Sequence, residues 1–180
     1  MIKKENTPTI ETERLYLRKF IDTDVEDVFK IYSDKEVNKF LPWFPFDTIE
    51  QAENYLYNDI YEVYKRDIAY FYAIVLKKTN SLVGYVCVNG IDEIKCIGEL
   101  GYGLRKEYWN KGIATEACVA VLEKIRENGF KTIIATHDKN NPGSGEVMKK
   151  IGMTYRKSYN EQWQPKDISV IFKLFQIDFD

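Results

Sequence analysis

The chain has one histidine, three cysteines, five prolines and no surplus of positive charge. Each shortage excludes something. His137 stands alone, and Cys87, Cys96 and Cys118 show no metal-ligand spacing, so no metal site is expected. With 26 Lys and Arg against 28 Asp and Glu, the formal net charge is −2 and gives no global field for nucleic acid. No apolar run approaches the ~20 residues of a membrane span. The opening Met1-Ile2-Lys3-Lys4-Glu5-Asn6 lacks the apolar core of an export signal. An odd number of cysteines without such a signal reads as reduced thiols in a cytoplasmic protein, packed as small apolar groups. No Gly-x-x-x-x-Gly-Lys-Ser/Thr segment supports a nucleotide triphosphatase. No linker, repeat or low-complexity tract divides the chain, so one domain over residues 1–180 is expected.

What remains is an ordinary globular composition, 44% hydrophobic and 30% charged, with 13 Tyr and 10 Phe. A chain of this length buries on the order of 70% of its unfolded surface. Alternation predicts a strand over residues 11–19. Thr23-x-x-Glu26 predicts a capped helix, and Ser33-x-x-Glu36 a short second one. Two prolines keep residues 41–46 out of any regular helix. Thr48-x-x-Gln51 caps a longer helix with Ile49, Ala52, Leu56, Ile60 and Val63 on one face. Residues 69–76 and 82–88 predict strands joined at Thr79-Asn80, with a further turn opening at Asn89-Gly90. Residues 95–104 and 131–137 predict two more strands, residues 143–151 a helix, and residues 153–159 and 168–175 a closing hairpin. The class is α+β, with a mostly antiparallel sheet.

The most specific segment is residues 108–117, Tyr-Trp-Asn-Lys-Gly-Ile-Ala-Thr-Glu-Ala. It follows a predicted strand and opens a helix with Ile113, Ala117, Val121, Leu122 and Ile125 at helical spacing. The first turn of a helix carries N–H groups without intrahelical partners and the positive end of the dipole. An anion such as a phosphate fits there. Gly112 removes a Cβ from its approach, and Ala114 keeps the next turn small. On this segment alone, an ordinary turn before a core helix reads equally well.

The segment also resembles the acyl-coenzyme A signature of the GCN5-related N-acetyltransferases, Arg/Gln-x-x-Gly-x-Gly/Ala. Lys111-Gly112-Ile113-Ala114 fits its second half, while Trp109 replaces the first Arg or Gln. The string Tyr-Trp-x-Lys-Gly-x-Ala-Thr-Glu-Ala is similar to the Rim-like branch, the ribosomal-protein N-terminal acetyltransferases. So are Thr12-Glu13-Arg14-Leu15-x-Leu17-Arg18 and Asn141-x-x-Ser144-x-x-Val147-x-x-Lys150-x-Gly152-Met153, with Met in place of Phe. The resemblance runs from about Thr12 to about Leu174. It implies an α/β/α sandwich, a mixed, mostly antiparallel sheet with helices on both faces. Strands 95–104 and 131–137 should splay to admit the cofactor. It further implies acetyl-coenzyme A as co-substrate, its pyrophosphate on Asn110, Lys111, Gly112, Ile113, Ala114 and Thr115, and its pantetheine along Tyr102, Gly103 and Leu104.

Acetyl transfer to an amine needs a base, because only the neutral amine attacks, and a donor for the leaving thiolate. Glu99 is the candidate base: it shares a strand face with Gly101 and Gly103, which leave room for a ligand, and it stands a few residues before the phosphate turn. Its competing reading is a solvated strand carboxylate. His137 ranks second. The resemblance implies that Asn141 bonds pantetheine and that Ser144 lies near the thiol, although Asn141 with Pro142 also reads as a plain helix start. The tyrosine that serves as acid elsewhere in the superfamily would stand at Met148, so Ser144 or water must supply that proton. Trp43, Phe44, Phe46, Tyr64, Tyr70 and Tyr72 can line an acceptor side, though packing is the default for most; Trp43, in its proline-flanked loop, is the chosen contact. The expected acceptor is a protein N-terminal α-amine. The alternatives are a small-molecule amine (polyamine or aminoglycoside) or a non-catalytic acyl-coenzyme A-binding regulator. A homodimer stays open; nucleic acid and membrane are not expected partners.

Overall fold

The computed structural model describes residues 1–179. The elements in chain order are β1 (Ile10–Glu11), β2 (Leu15–Arg18), α1 (Val25–Ser33), α2 (Ile49–Tyr55), α3 (Tyr61–Val63), β3 (Tyr70–Leu76), β4 (Ser81–Asp92) and β5 (Ile97–Leu104). Then come α4 (Ile113–Glu127), β6 (Thr132–Asp138), α5 (Pro142–Lys150), β7 (Thr154–Trp163) and β8 (Ile168–Asp178). The strands form one sheet in the order β1-β2-β3-β4-β5-β6-β8-β7. Every neighbouring pair is antiparallel except β5–β6, which is parallel.

Strand alternation builds two cores, one on each face of this sheet. On β3, Tyr70, Tyr72 and Ile74 join Ile113, Ala117, Val121 and Ile125 of α4 and Met148 of α5. The intervening Phe71, Ala73 and Val75 join Val28 and Ile31 of α1 and Ala52 of α2. A strand buried on both faces reads as a continuous apolar run, as Tyr70–Leu76 does. The expected layering of helices on both faces is therefore present.

Several expected boundaries shift for local reasons. The strand expected over residues 11–19 is two strands in a hairpin. Thr12 makes the turn: its N–H donates to the Leu15 carbonyl (3.0 Å) and its Oγ1 accepts from the Leu15 N–H (3.0 Å). α1 starts at Val25 without a Thr23 cap, because residues 22–24 form a 3-10 turn ahead of it; Asp24 Oδ2 accepts from the Ile21 N–H (2.8 Å) at the start of that turn, both its oxygens accept from Arg18 (2.7 and 2.9 Å), and its side chain makes no cap bond to α1. The short helix expected after Ser33 is a series of turns. Asp34 Oδ1 accepts from the N–H groups of Glu36 and Val37 there (2.7 and 3.1 Å), so the side chain takes the place of a helical carbonyl. The Thr48–Gln51 box does form, with Gln51 Oε1 accepting from the Thr48 N–H (3.1 Å). The helix it starts passes through a π-helical stretch, Leu56–Ile60, before α3. β4 runs through Asn89-Gly90 to Asp92, because a bulge absorbs the left-handed Gly90 (φ 55°) and Asp92 makes the turn instead.

Candidate functional site

The parallel strands β5 and β6 pair only at Ile97–Thr132, Gly98–Ile133 and Glu99–Ile134. Beyond Glu99 they part, as the sequence led us to expect. Leu100–Leu104 then keeps β4 on one edge and has no strand partner on the other among the described residues. This wedge exposes a row of main-chain donors and acceptors able to pair with an extended, amide-containing arm. The Leu104 carbonyl already accepts from the Trp109 indole N–H at 2.9 Å. That bond explains Trp109 where the signature has Arg or Gln: the indole staples the turn back onto β5.

The turn itself is built for an anion. Asn110 (φ 58°) and Gly112 (φ 74°) both adopt the left-handed region, and α4 begins at Ile113. Among the described residues, the N–H groups of Gly112, Ile113, Ala114 and Thr115 donate to nothing; the first to do so is Glu116, to the Gly112 carbonyl (3.0 Å). Lys111 lies with its ammonium 5.5 Å from the Tyr108 ring centroid. The donors, the small residues and the helix dipole together fit a pyrophosphate.

Two residues outside the signature hold this turn, and the sequence reading passed over both roles. Arg14, in the β1–β2 turn, donates from Nη1 to the Lys111 carbonyl (2.9 Å) and from Nε to Glu116 Oε2 (2.6 Å). Thr12 Oγ1 and the Arg14 N–H donate to Glu116 Oε1 (2.6 and 2.9 Å). Burial pushes the Glu116 carboxyl up, but the hydrogen bonds from Thr12 and Arg14 outweigh it and hold the group below the usual range. The opening Thr-x-Arg string and the Thr-Glu-Ala of the signature are thus two halves of one contact, a pairing invisible without the fold.

Glu99 sits at the apex of the wedge, the last paired residue before the strands part. Thr136 Oγ1 donates to its Oε1 (3.0 Å), and Asn89 of β4 stands opposite it. Tyr159 of β7 is close enough that the Glu99 charge, after burial and Glu161, helps hold its phenol above the ordinary value. Thr136 and Tyr159 escaped the sequence reading because nothing local marks them. Gly101 and Gly103 do share the Glu99 face, but the room beside them is filled. A Cβ on Gly103 would stand 2.6 Å from the Tyr85 ring, and one on Gly101 3.1 Å from Cys87 Sγ. The expectation that these glycines leave space for a ligand is corrected: they make space for β4 side chains.

On the opposite face, Asn141 caps α5, its Oδ1 accepting from the Ser144 N–H (3.3 Å). The plain helix-start reading is therefore realised, while Asn141 Nδ2 donates to nothing among the described residues. The Tyr102 hydroxyl donates to the Ser144 carbonyl (2.7 Å), which leaves its oxygen to accept from the Ser144 hydroxyl (2.9 Å). Met148, at the position of the missing acid, is 1% exposed and belongs to the core. So β5, not α5, brings a phenol to this end of the wedge; burial raises its pKa, which keeps it neutral. His137 is 6% exposed, on the face of β6 away from Glu99 and Thr136. Its Nδ1 is 2.7 Å from the Asp138 carbonyl, and a Cβ on Gly145 would stand 2.6 Å from its Nε2. Burial, first of all, lowers its pKa. It seats α5 and is no base for an acceptor on the Glu99 face. Cys87, Cys96 and Cys118 are all buried and unpaired, as expected; burial pushes Cys87 up to about 12.

The loop between α1 and α2 carries Trp43, whose indole donates to Asn38 Oδ1 (3.0 Å) and whose ring packs near Tyr32. Lys166, at the tip of the β7–β8 hairpin, donates to the Asn38 and Leu41 carbonyls (3.0 and 2.7 Å). The hairpin thus latches this loop. Phe44 is 60% exposed, Phe46 stacks on Tyr32, and Tyr64 bonds the Phe20 N–H and the Phe71 carbonyl. Tyr70 and Tyr72 are fully buried on the α4 side, so they pack and line no acceptor surface.

The acetyltransferase (GNAT) domain family matches residues 14–154. An uncharacterized N-acetyltransferase, YnaD of Bacillus subtilis (strain 168), is 33% identical over 87% of this chain and 88% of its own length. The crystal structure of a GNAT-family acetyltransferase from Bacillus anthracis superposes with a TM-score of 0.82 at 29% identity, covering 95% of this chain and 98% of that one. A ribosomal L7/L12 alpha-N-protein acetyltransferase in complex with coenzyme A superposes with a TM-score of 0.84 at 17% identity, over 96% and 99%. At that identity the likeness is one of fold.

Proposed function

The chain belongs to the acetyltransferase (GNAT) family of acetyl-coenzyme A-dependent N-acetyltransferases, and we propose that its acceptor is a protein N-terminal α-amine. The observation that carries the reading is the wedge: Glu99 stands at its apex and four unpartnered N–H groups at its mouth. The Rim-like strings in the sequence point to the α-amine, and the likeness to an N-terminal acetyltransferase bound to coenzyme A is consistent with it. The residues present fit the co-substrate. Gly112 to Thr115 would hold its pyrophosphate, Leu100–Leu104 its pantetheine amides, and Asn141 Nδ2 a further carbonyl.

Bound acetyl-coenzyme A supplies the activated thioester. The protein's own work is proton handling and orientation. An α-amino group has a pKa of ~7.7–8.0, so Glu99 needs to take a proton only through a short water relay, or to select the neutral amine. Thr136 fixes the carboxylate for that task. As the C–N bond forms and the C–S bond breaks, the N–H of Tyr102 or Leu104, on the edge of β5 away from β4, would serve the developing oxyanion. The Ser144 hydroxyl, turning from the Tyr102 oxygen, would give the departing sulfur a proton, with solvent returning one to Ser144 and removing one from Glu99. This phenol–hydroxyl pair supplies the donor that Met148 cannot, so the non-catalytic reading loses its main support. Three buried, unpaired thiols favour a reducing, cytoplasmic setting.

Turnover of acetyl-coenzyme A against N-terminal peptides, polyamines and aminoglycosides tests the assignment. Turnover with peptides and little with the others is expected. Preference for a polyamine or aminoglycoside would overturn the acceptor, and firm coenzyme A binding without turnover of any amine would overturn catalysis.

A further inference from the structure

We propose that Arg14 is a positioning residue for the pyrophosphate of acetyl-coenzyme A, supplying from the β1–β2 turn the cation that the signature lacks at Trp109. The proposal rests on the cofactor placement above. Trp109 cannot offer a charge, and its indole is spent on the Leu104 carbonyl. The guanidinium of Arg14 reaches the same turn from 97 residues earlier in the chain. It acts there in two ways.

First, Nη1 holds the Lys111 carbonyl at 2.9 Å. In a planar trans peptide the carbonyl and the following N–H point in opposite directions. Fixing the Lys111 carbonyl therefore aims the Gly112 N–H away from Arg14, toward the side where an anion sits. Asn110 holds left-handed backbone (φ 58°), which costs a non-glycine residue energy, so a contact that braces the turn helps keep it there. Second, Glu116 places a carboxylate in the first turn of α4, where it would repel a phosphate. Arg14 engages both of its oxygens, with Thr12 adding a third bond. The pair is partly buried, 46% exposed on Arg14 and 19% on Glu116, so water screens it incompletely. Arg14 Nη2 has no partner among the described residues and is the atom nearest a Cβ built on Gly112, at 3.4 Å. One N–H edge of the paired guanidinium therefore faces the turn.

The test compares acetyl-coenzyme A with acetyl-pantetheine, a thioester that lacks the pyrophosphate. Arg14→Ala should lower kcat/KM for acetyl-coenzyme A by about 10–100-fold, the range for losing charge-assisted hydrogen bonds. The loss should lie in KM, with acetyl-pantetheine changed by no more than about twofold. Arg14→Lys should recover part of it, and Glu116→Gln in the Arg14→Ala background should recover part by removing the uncompensated charge. Equal losses on both thioesters would show a merely structural role, and an unchanged preference for acetyl-coenzyme A would show that the turn does not need Arg14; either overturns the proposal. If the unaltered enzyme has no preference between the two, the pyrophosphate site itself is wrong. Should Arg14→Ala not fold, Arg14→Gln carries the same comparison.

Discussion

Glu99 and His137 show how a strand assigns chemistry by parity. Glu99 was chosen from its place before the phosphate turn, and β5 carries it to the point where the sheet divides. His137, two β6 positions beyond the Ala135 that lies on its own face, points into the α5 side and packs on Phe175. Glu99→Gln should lower kcat/KM about 100-fold, the low end for general base catalysis, with the Kd for coenzyme A unchanged. The deficit should shrink as pH rises through the amine pKa, so a rate–pH profile of both forms is the check. The lone histidine gives a second handle. Its folded pKa lies below its unfolded value, so the unfolded chain binds more protons between the two. Stability is then full above about pH 6.5 and falls as the pH drops toward the folded value. Thermal melts from pH 8 to 5 should show this decline, and His137→Asn should flatten it, since no second histidine titrates there.

At the scale of the element, the strand–turn–helix of residues 97–127 was readable because its signals are local. Helical spacing marked the buried face of α4, and Gly112, read as a place without a Cβ, proves to be its left-handed start. The contacts that make the turn a site are not local. Arg14 with Glu116, Tyr102 with Ser144 and Glu99 with Thr136 are separated by 102, 42 and 37 residues. No spacing rule reaches that far. Local signals also misled where a neighbouring side chain met the backbone first: Asp24 closed a 3-10 turn onto the Ile21 N–H where Thr23-x-x-Glu26 suggested a capping box, and Asp34 made turns where Ser33-x-x-Glu36 suggested a helix. For the turn, calorimetry with coenzyme A should show Gly112→Asp weakening binding at least ~100-fold. The aspartate forces a strained φ and brings a second carboxylate against the Arg14 guanidinium that braces the turn, adding negative charge at its edge. Lys111→Ala should stay within ~3-fold, because the contacts are main-chain.

At the scale of the molecule, the two faces of the sheet divide the labour. The α4–α5 face carries the Gly112 turn at the start of α4, Asn141 and the Ser144–Tyr102 pair, while the α1–α2 face carries Glu99 and the Trp43 loop. The latch of Lys166 onto the Asn38 and Leu41 carbonyls joins the hairpin tip to the Trp43 loop. Lys166→Met should raise the acceptor KM several-fold through the loosened loop while leaving the Kd for coenzyme A unchanged; equal changes in both would place the latch elsewhere in the cycle. The central claim, acetyl transfer across this wedge to an N-terminal α-amine, is tested most directly by where the acetyl group lands. A peptide with a free N-terminus and an internal lysine is turned over with acetyl-coenzyme A, and the product is mapped by mass spectrometry. Acetylation of the α-nitrogen alone, lost when the N-terminus is blocked, is the expected result. Acetylation of the lysine side chain, or continued turnover of the blocked peptide, would contradict it.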